Sequence, residues 1–399
     1  MEQLKKHGQT HLIEALTMTN SSKLKQQILG IDLDFIMSLY KKRHHIVDQE
    51  VTITPITSKQ LSVSERVALY DRGLEIIKSS KAAVVLMAGG QGTRLGHQGP
   101  KGTFDIGLDS HKSLFELHTE ALIDLYHQTN TFIPWYIMTS EDNHKETVAF
   151  FKKHNFFNYK PDSITFFKQD QLPLQLEDGK LALINETSLN LAANGNGGVF
   201  TSLKSNMLIE DMRSKGVEQV FICGVDNALA KLADPVFLAF AKETDKDVSS
   251  KAIDKVDAYE KVGVMCYKDN KPTIVEYSEL SDDLRHEKDE TGQLIYRHAN
   301  ILAHILKLDF IEKCANMTLP YHVAHKKVDY YDGGKLITAN EPNGYKYELF
   351  IFDVFEYADD MSVLTVDRST EFAPVKNASG NDSPETARLL YKNLKSQGR

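Results

Sequence analysis

The sequence predicts an α/β fold: a central, mostly parallel mixed sheet flanked by helices, with a helical N-terminal segment over residues 1–80 and a small C-terminal lobe over 311–399. Three observations carry this. Ala82-Ala83-Val84-Val85-Leu86-Met87 is a continuous apolar run ending in glycines, the pattern of a strand buried on both faces. Further apolar runs, Trp135-Tyr136-Ile137-Met138, residues 163–168 and Val220-Phe221-Ile222-Cys223, read as strands two to four. Helically spaced segments at 114–126, 200–212 and 235–241 alternate with them, as in sheets covered on both faces. Ligands of such sheets bind beyond the carboxyl ends of the strands, which places the loops after Met87, Lys168 and Val225 around one crevice.

Before residue 81 the pattern is helical, as in Ile31-Asp32-Leu33-Asp34-Phe35-Ile36-Met37, and Ser62 and Glu65 stand at capping-box spacing. Residues 81–310 form the main domain, in which 262–267 and 273–277 read as paired strands. The C-terminal lobe is expected to carry strands near 350–352 and 363–366.

Composition narrows the function classes. The 41% hydrophobic and 26% charged content of the 399 residues is that of an ordinary globular protein. No stretch approaches the roughly 18 apolar residues of a membrane span, and Met1-Glu2-Gln3-Leu4-Lys5-Lys6 leads into no apolar signal region. Cys223, Cys266 and Cys314 are far apart and read as reduced, partly buried thiols of a cytoplasmic protein. A formal charge of −8, from 55 acidic and 47 basic groups, argues against generic nucleic-acid binding. Phosphates would have to be held locally, by backbone N–H groups, a few placed cations and a metal ion.

The first strand runs into Gly89, Gly90, Gly92 and Gly96, with Arg94 inside the loop and Lys101 just after it. Glycines let N–H groups approach phosphate oxygens, and two cations suit the loop to a triphosphate. The dinucleotide fingerprint G-x-G-x-x-G does not fit, because Gly90-Gln91-Gly92-Thr93-Arg94-Leu95-Gly96 has one residue too many. A Walker-type loop does not fit either, since Pro100 precedes Lys101 and Gly102 follows it. A purely structural glycine connection is the plain alternative.

Each remaining candidate has two readings. Asp226 in Val225-Asp226-Asn227 suits a Mg²⁺ ion bridging triphosphate oxygens, or a helix N-cap. Asn194-Gly195-Asn196-Gly197-Gly198 suits close contact with a base or sugar, or a turn. Glu276, Tyr277 and Asn300 suit sugar hydroxyls, or are structural polar residues. By spacing alone Lys346 and Lys376 are solvated lysines, and His322 and His325 lack a third metal ligand.

Together these motifs resemble the UDP-sugar pyrophosphorylases, in particular the UDP-N-acetylglucosamine pyrophosphorylases and the bacterial probable uridylyltransferases. The resemblance runs from about Lys81 to Leu390. It rests on Met87-Ala88-Gly89-Gly90-Gln91-Gly92-Thr93-Arg94-Leu95-Gly96, Pro100-Lys101-Gly102, Ile133-Pro134-Trp135-Tyr136-Ile137-Met138-Thr139-Ser140 and Phe166-Phe167-Lys168-Gln169. It continues through Gly195-Asn196-Gly197-Gly198, Val225-Asp226-Asn227, Val275-Glu276-Tyr277-Ser278-Glu279 and Phe372-Ala373-Pro374-Val375-Lys376-Asn377-Ala378. It implies a Rossmann-like nucleotidyltransferase whose catalytic domain is 81–310, and a cytoplasmic enzyme forming a UDP-sugar and pyrophosphate from UTP and a sugar 1-phosphate, N-acetylhexosamine 1-phosphate above others.

The resemblance also implies roles. Met87, Ala88, Gly89 and Gly90 would line the uridine and phosphate site, and Arg94 and Lys101 would hold the triphosphate. Gln169 and Gly195 would contact uracil, and Asn196, Glu276, Tyr277 and Asn300 the sugar. Asp226 would hold Mg²⁺, and Lys346 and Lys376 would reach the phosphates, Lys376 also on the sugar side. Relatives commonly carry Pro-Asp where this chain has Ala193-Asn194, and Gly where it has Ala299 before Asn300. These departures leave the transfer chemistry intact and bear on the sugar. Glucose 1-phosphate or another sugar 1-phosphate is the alternative substrate, and a non-catalytic nucleotide-binding regulator the alternative of another class.

Overall fold

A computed structural model describes residues 1–43 and 51–396, so parts of the two flanking segments lie outside the described residues. Compactness groups the chain into two units rather than three consecutive segments. One comprises Met1–Glu50, Asp170–Gly198 and Thr318–Ile351; the other comprises Val51–Gln169, Val199–Met317 and Phe352–Arg399.

In the larger unit, ten strands form one sheet: β1 Ile53–Pro55, β2 Ala82–Met87, β3 Trp135–Thr139, β4 Ile164–Lys168, β5 Gln219–Gly224, β6 Val248–Asp254, β7 Val264–Lys268, β8 Lys271–Val275, β9 His298–Lys307 and β10 Met361–Thr365. The order is β1-β7-β9-β5-β2-β3-β4, with β6 beside β9 and β10, and β8 beside β7. The pairings give β2 to β7 and β10 one direction and β1, β8 and β9 the other, so the mixed sheet is mostly parallel. Every residue of β2, β3 and β5 is buried, which is why they read as unbroken apolar runs.

Helices cover this sheet. Val63–Lys78 begins with the expected capping box, the Ser62 hydroxyl accepting from Glu65 N–H and the Glu65 carboxylate from Ser62 N–H. It crosses Pro235–Thr244 at Gly73, where a Cβ would lie 1.9 Å from the Pro235 carbonyl oxygen, so only glycine permits the approach. A buried triad ties the layers together: Lys251 on β6 hydrogen-bonds both Asp234, the N-cap of Pro235–Thr244, and Glu371. Burial opposes charging the Lys251 ammonium, but the two carboxylates prevail and hold its pKa above the usual lysine value.

Five expectations change. The segment 350–352 is not a strand; Ile351–Tyr357 is a 3₁₀ turn, in which Ile351 and Val354 bury on a three-residue spacing. The strand near 363–366 belongs to the central sheet, paired in parallel with β6, where Val363 and Leu364 are buried. The helix over 200–212 is two helices, Val199–Ser205 and Leu208–Ser214, broken at Met207 with φ 58°. The first 80 residues divide: the segment after residue 50 contributes β1 and a helix to the larger unit. The three thiols are buried, beyond the partial burial expected.

The smaller unit has its own core. Leu4, Leu12, Leu24, Leu33, Ile36 and Met37 of the N-terminal helices pack on Leu181, Leu183, Leu189, Tyr345 and Tyr347. Its three-stranded sheet places Gly344–Glu348 between His322–Lys326 and Gln175–Leu176. His325 bonds Glu177 at 2.8 Å.

His304 on β9 is fully buried against Phe355, with Nδ1 2.7 Å from the Ser250 hydroxyl, and burial pushes its pKa from 6.5 down to about 3. The folded state refuses a proton that the unfolded state takes up below about pH 6.5. Stability is therefore complete above that value and falls as the pH drops toward the folded pKa, by about 1.4 kcal/mol per pH unit for one such group. Urea unfolding at pH 7 and pH 5 should show this loss, and His304→Gln should flatten it; an unchanged slope in the variant would assign the loss elsewhere.

Candidate active site

The carboxyl ends of β2 and β5 lie side by side, with Met87 opposite Gly224 and Val225 N–H donating to the Met87 carbonyl at 3.1 Å. That register sets the loop beginning at Ala88 next to the turn holding Asp226. The loop is closed as a small hairpin: Gly92 N–H donates to Gly99 C=O at 3.0 Å and Lys101 N–H to Gly90 C=O at 3.0 Å. A 3₁₀ turn, Thr93–Leu95, forms its tip, and Gly96 at φ 70° ends it. Among the described residues the N–H groups of Gly89, Gly90 and Gln91 have no acceptor. Unpaired donors beside a cation form an anion cradle.

Ala88 is fully buried and Met87 nearly so. A Cβ on Gly89 would lie 2.6 Å from Gln169 Oε1 and 3.4 Å from Ser140 N, so glycine lets the Gln169 amide lie against the loop. Gln169 follows β4, with its N–H on the Thr139 carbonyl at 2.8 Å. The loops after Met87, Lys168 and Val225 therefore meet as the strand ends required.

Lys101 Nζ lies 3.4 Å from Asp226 Oδ2, both side chains mostly buried. Asp226 C=O accepts from Val375 N–H at 2.9 Å, and Asn227 Nδ2 and Oδ1 hold Glu371 C=O and Ala373 N–H at 2.8 Å each. This staples 371–375, and hence the start of the Lys376 turn, to the end of β5. The Lys376 ammonium itself faces Asp382 at 3.8 Å. Arg94 is exposed on the hairpin tip and makes no ion pair among the described residues.

The expected sugar residues gather around Gly263. Asn300 N–H donates to Gly263 C=O at 2.9 Å, and a Cβ there would lie 3.3 Å from Glu276 Oε1. Asn300 Oδ1 accepts from Leu302 N–H at 2.9 Å, holding Leu302 at φ 55°. The Leu302 side chain and Asp226 Oδ1 both lie within 3.0 Å of where a Gly224 Cβ would sit, which links Asn300 to Asp226. Tyr277 is 40% exposed, its carbonyl bonded by Arg285.

Gly195, Asn196 and Lys346 belong to the smaller unit. Gly195 has φ 87°, and a Cβ there would meet Leu349 O at 2.2 Å; Asn196 Oδ1 accepts from Ile351 N–H at 2.9 Å. Lys346 pairs with Glu348 at 2.7 Å.

Two residues escape sequence reasoning. Asn143 is fully buried and bonds the backbone of the glycine loop; its only signal is an asparagine three residues after Ser140, the spacing of a turn or cap. His118, inside the helix Leu114–Thr129, is buried with Nε2 3.0 Å from Val225 C=O, and burial lowers its pKa. A lone histidine on a helical face carries no signal of that contact.

A glycine hairpin with unpaired N–H groups beside an Asp–Lys pair, at the carboxyl edge of a mostly parallel sheet, is the arrangement expected of a nucleotidyltransferase. The chain belongs to the UTP–glucose-1-phosphate uridylyltransferase family, whose profile matches residues 34–391. It is 41% identical to the UDP-N-acetylglucosamine pyrophosphorylase of Saccharomyces cerevisiae, over 98% of this chain and 86% of the relative. It is 38% identical to UDP-N-acetylglucosamine diphosphorylase 2 of Arabidopsis thaliana, over 99% and 83%. The crystal structure of the uridine diphosphate N-acetylglucosamine pyrophosphorylase from Trypanosoma brucei, in complex with inhibitor, superposes with a TM-score of 0.83 at 29% identity, covering 98% of this chain and 83% of that one. The protein is a UDP-sugar uridylyltransferase.

Gly89→Ala should push the Gln169 amide off the loop and raise the KM for UTP about tenfold or more, with the thermal midpoint little changed because a side-chain end, not backbone, must give way. Initial rates at varied UTP check this; an unaltered KM would separate Gln169 from nucleotide binding.

Proposed function

We propose that the enzyme joins UTP to N-acetylhexosamine 1-phosphate, releasing pyrophosphate, with the site on the loops after β2, β4 and β5. The observation that carries the reading is the hairpin whose Gly89, Gly90 and Gln91 N–H groups lack acceptors among the described residues, set beside Lys101 and Asp226. The choice of an N-acetylated sugar follows the names of the yeast, plant and trypanosome relatives.

In the reaction a sugar 1-phosphate oxygen attacks the α-phosphorus of UTP in line. A new O–P bond forms as the bond to the bridging oxygen of the β-phosphate breaks, and pyrophosphate leaves. The nucleophile is already an anion, so no general base is needed. The work is to bring two anions together and to spread charge in the transition state. Arg94, Lys101 and Lys376 are the catalytic cations. Met87, Ala88, Gly89 and Gly90 line the nucleotide, and Gln169 reads uracil. Glu276, Tyr277 and Asn300 face the sugar, as does Lys376. The assignments of Gly195 to the base, Asn196 to the sugar and Lys346 to the nucleotide rest on family resemblance.

Asp226 fits a Mg²⁺ ion. Its Oδ2 has one long contact, and among the described residues Oδ1 has no partner. One carboxylate plus substrate phosphates is how Mg²⁺ is usually held, and the ion would neutralise phosphate charge. The proposed location is the cytoplasm; no helix among the described residues is long and apolar enough to cross a membrane.

Incubation with UTP, Mg²⁺ and a panel of sugar 1-phosphates should release pyrophosphate fastest with the N-acetylhexosamine members. Preference for glucose 1-phosphate would reassign the sugar, and silence across the panel would leave only a nucleotide-binding regulator. Chelation with EDTA should abolish turnover and added Mg²⁺ restore it. Arg94→Ala should lower kcat about 100-fold or more while leaving the urea midpoint unchanged, since the side chain is exposed and unpaired among the described residues. Near wild-type turnover would remove Arg94 from the mechanism.

A further inference from the structure

Asn143 stands at the N-terminus of the helix His144–Lys153, yet its side chain does not cap that helix. Its amide is spent on the phosphate hairpin instead. Nδ2 donates to Ala88 C=O at 2.9 Å and to Gly90 C=O at 3.3 Å, and Oδ1 accepts from Ser140 N–H at 2.8 Å. The residue is 0% exposed, so these partners replace water entirely.

The consequence follows from the trans peptide. In each peptide plane the C=O and the N–H of the next residue point in opposite directions. Drawing the Ala88 carbonyl to this amide, and the Gly90 carbonyl to the amide and the Lys101 N–H together, turns the Gly89 and Gln91 N–H groups to the other side of the chain. Those are two of the N–H groups with no acceptor among the described residues. A planar group with two donor hydrogens and one acceptor is needed to hold two carbonyls and one N–H at once. Only Asn or Gln supplies it, and Gln is one methylene too long for a fully buried place.

We propose that Asn143 is a positioning residue that aims the Gly89 and Gln91 N–H groups at the polyphosphate of UTP. It rests on the UTP reading above and adds a specific prediction: its loss impairs the nucleotide side of the reaction and spares the sugar phosphate.

The test uses the full chain with Asn143→Asp and Asn143→Ala, measuring KM for each substrate, kcat, thermal midpoint and the pH profile. Asn143→Asp keeps the shape but sets an acceptor against two carbonyls. The KM for UTP should rise about tenfold or more at pH 8, with that for the sugar 1-phosphate within about twofold. A carboxyl buried against carbonyls has a raised pKa, so it protonates in mild acid and regains one donor. The UTP defect should therefore shrink toward pH 6 in Asn143→Asp and persist in Asn143→Ala. Asn143→Ala introduces no charge and keeps the test open if the aspartate variant fails to fold. Equal rises in both KM values that track a lower thermal midpoint, or an unchanged KM for UTP, would overturn the proposal and leave Asn143 a packing residue. Wild-type protein that releases no pyrophosphate would overturn the parent reading, and this inference with it.

Discussion

The parallel pairing of β2 with β5 is the constraint on which the site depends. Six residue pairs from Ala82–Gln219 to Met87–Gly224 hold the two strands in register, and both strands are buried along their whole length. A slip of one residue would turn every side chain to the opposite face. Because the register is fixed, the hairpin of Ala88–Lys101 and the turn at Asp226 leave the sheet at the same level. Neither segment needs regular structure of its own to be well placed.

Beyond the strand ends, side-chain amides take over from the ladder. Asn143 holds the Ala88 and Gly90 carbonyls, and Asn227 holds Glu371 and Ala373. Each satisfies backbone groups where the chain has left the sheet, so these segments are held in place without further strand pairing. The Lys251 triad does the same with charge. Glu371 is gripped by the ammonium of Lys251 through its side chain and by Asn227 through its carbonyl, at the root of the segment that leads to Lys376. A site that must gather several negative phosphates depends on donors that cannot swing away, because reorganising dipoles would return the cost of the repulsion.

Much of this is legible in the sequence where one residue type answers one local demand. The run Ala82–Met87, the capping box at Ser62 and Glu65 and the paired strands near 264–275 are patterns of period and chemistry. Gln169 and Asp226 are legible as strand-end residues once the alternation of strands and helices is read. The sheet that receives the strand Met361–Thr365 is not legible, because periodicity says that a strand exists, not where it pairs. The segment near 350–352 is ambiguous because three successive apolar residues, of which only Ile351 is buried, fit a 3₁₀ turn as well as a strand. Asn143 and His118 are not legible, because their partners are backbone carbonyls of segments far along the chain, and a carbonyl has no sequence signature.

The sequence by itself determined the fold class and the glycine-rich, cation-bearing make-up of the loop Ala88–Gly96. Burial on both faces of a strand and the need for glycine and cations around phosphate are local requirements written residue by residue. Tertiary structure alone decided that Gln169 lies against Gly89, that Lys101 faces Asp226, and that the Lys376 ammonium turns to Asp382. It alone decided which N–H groups of the loop stay unpaired. Those outcomes depend on strand register and on contacts between groups far apart in the chain, 125 positions for Lys101 and Asp226. No local pattern in the chain encodes such a meeting.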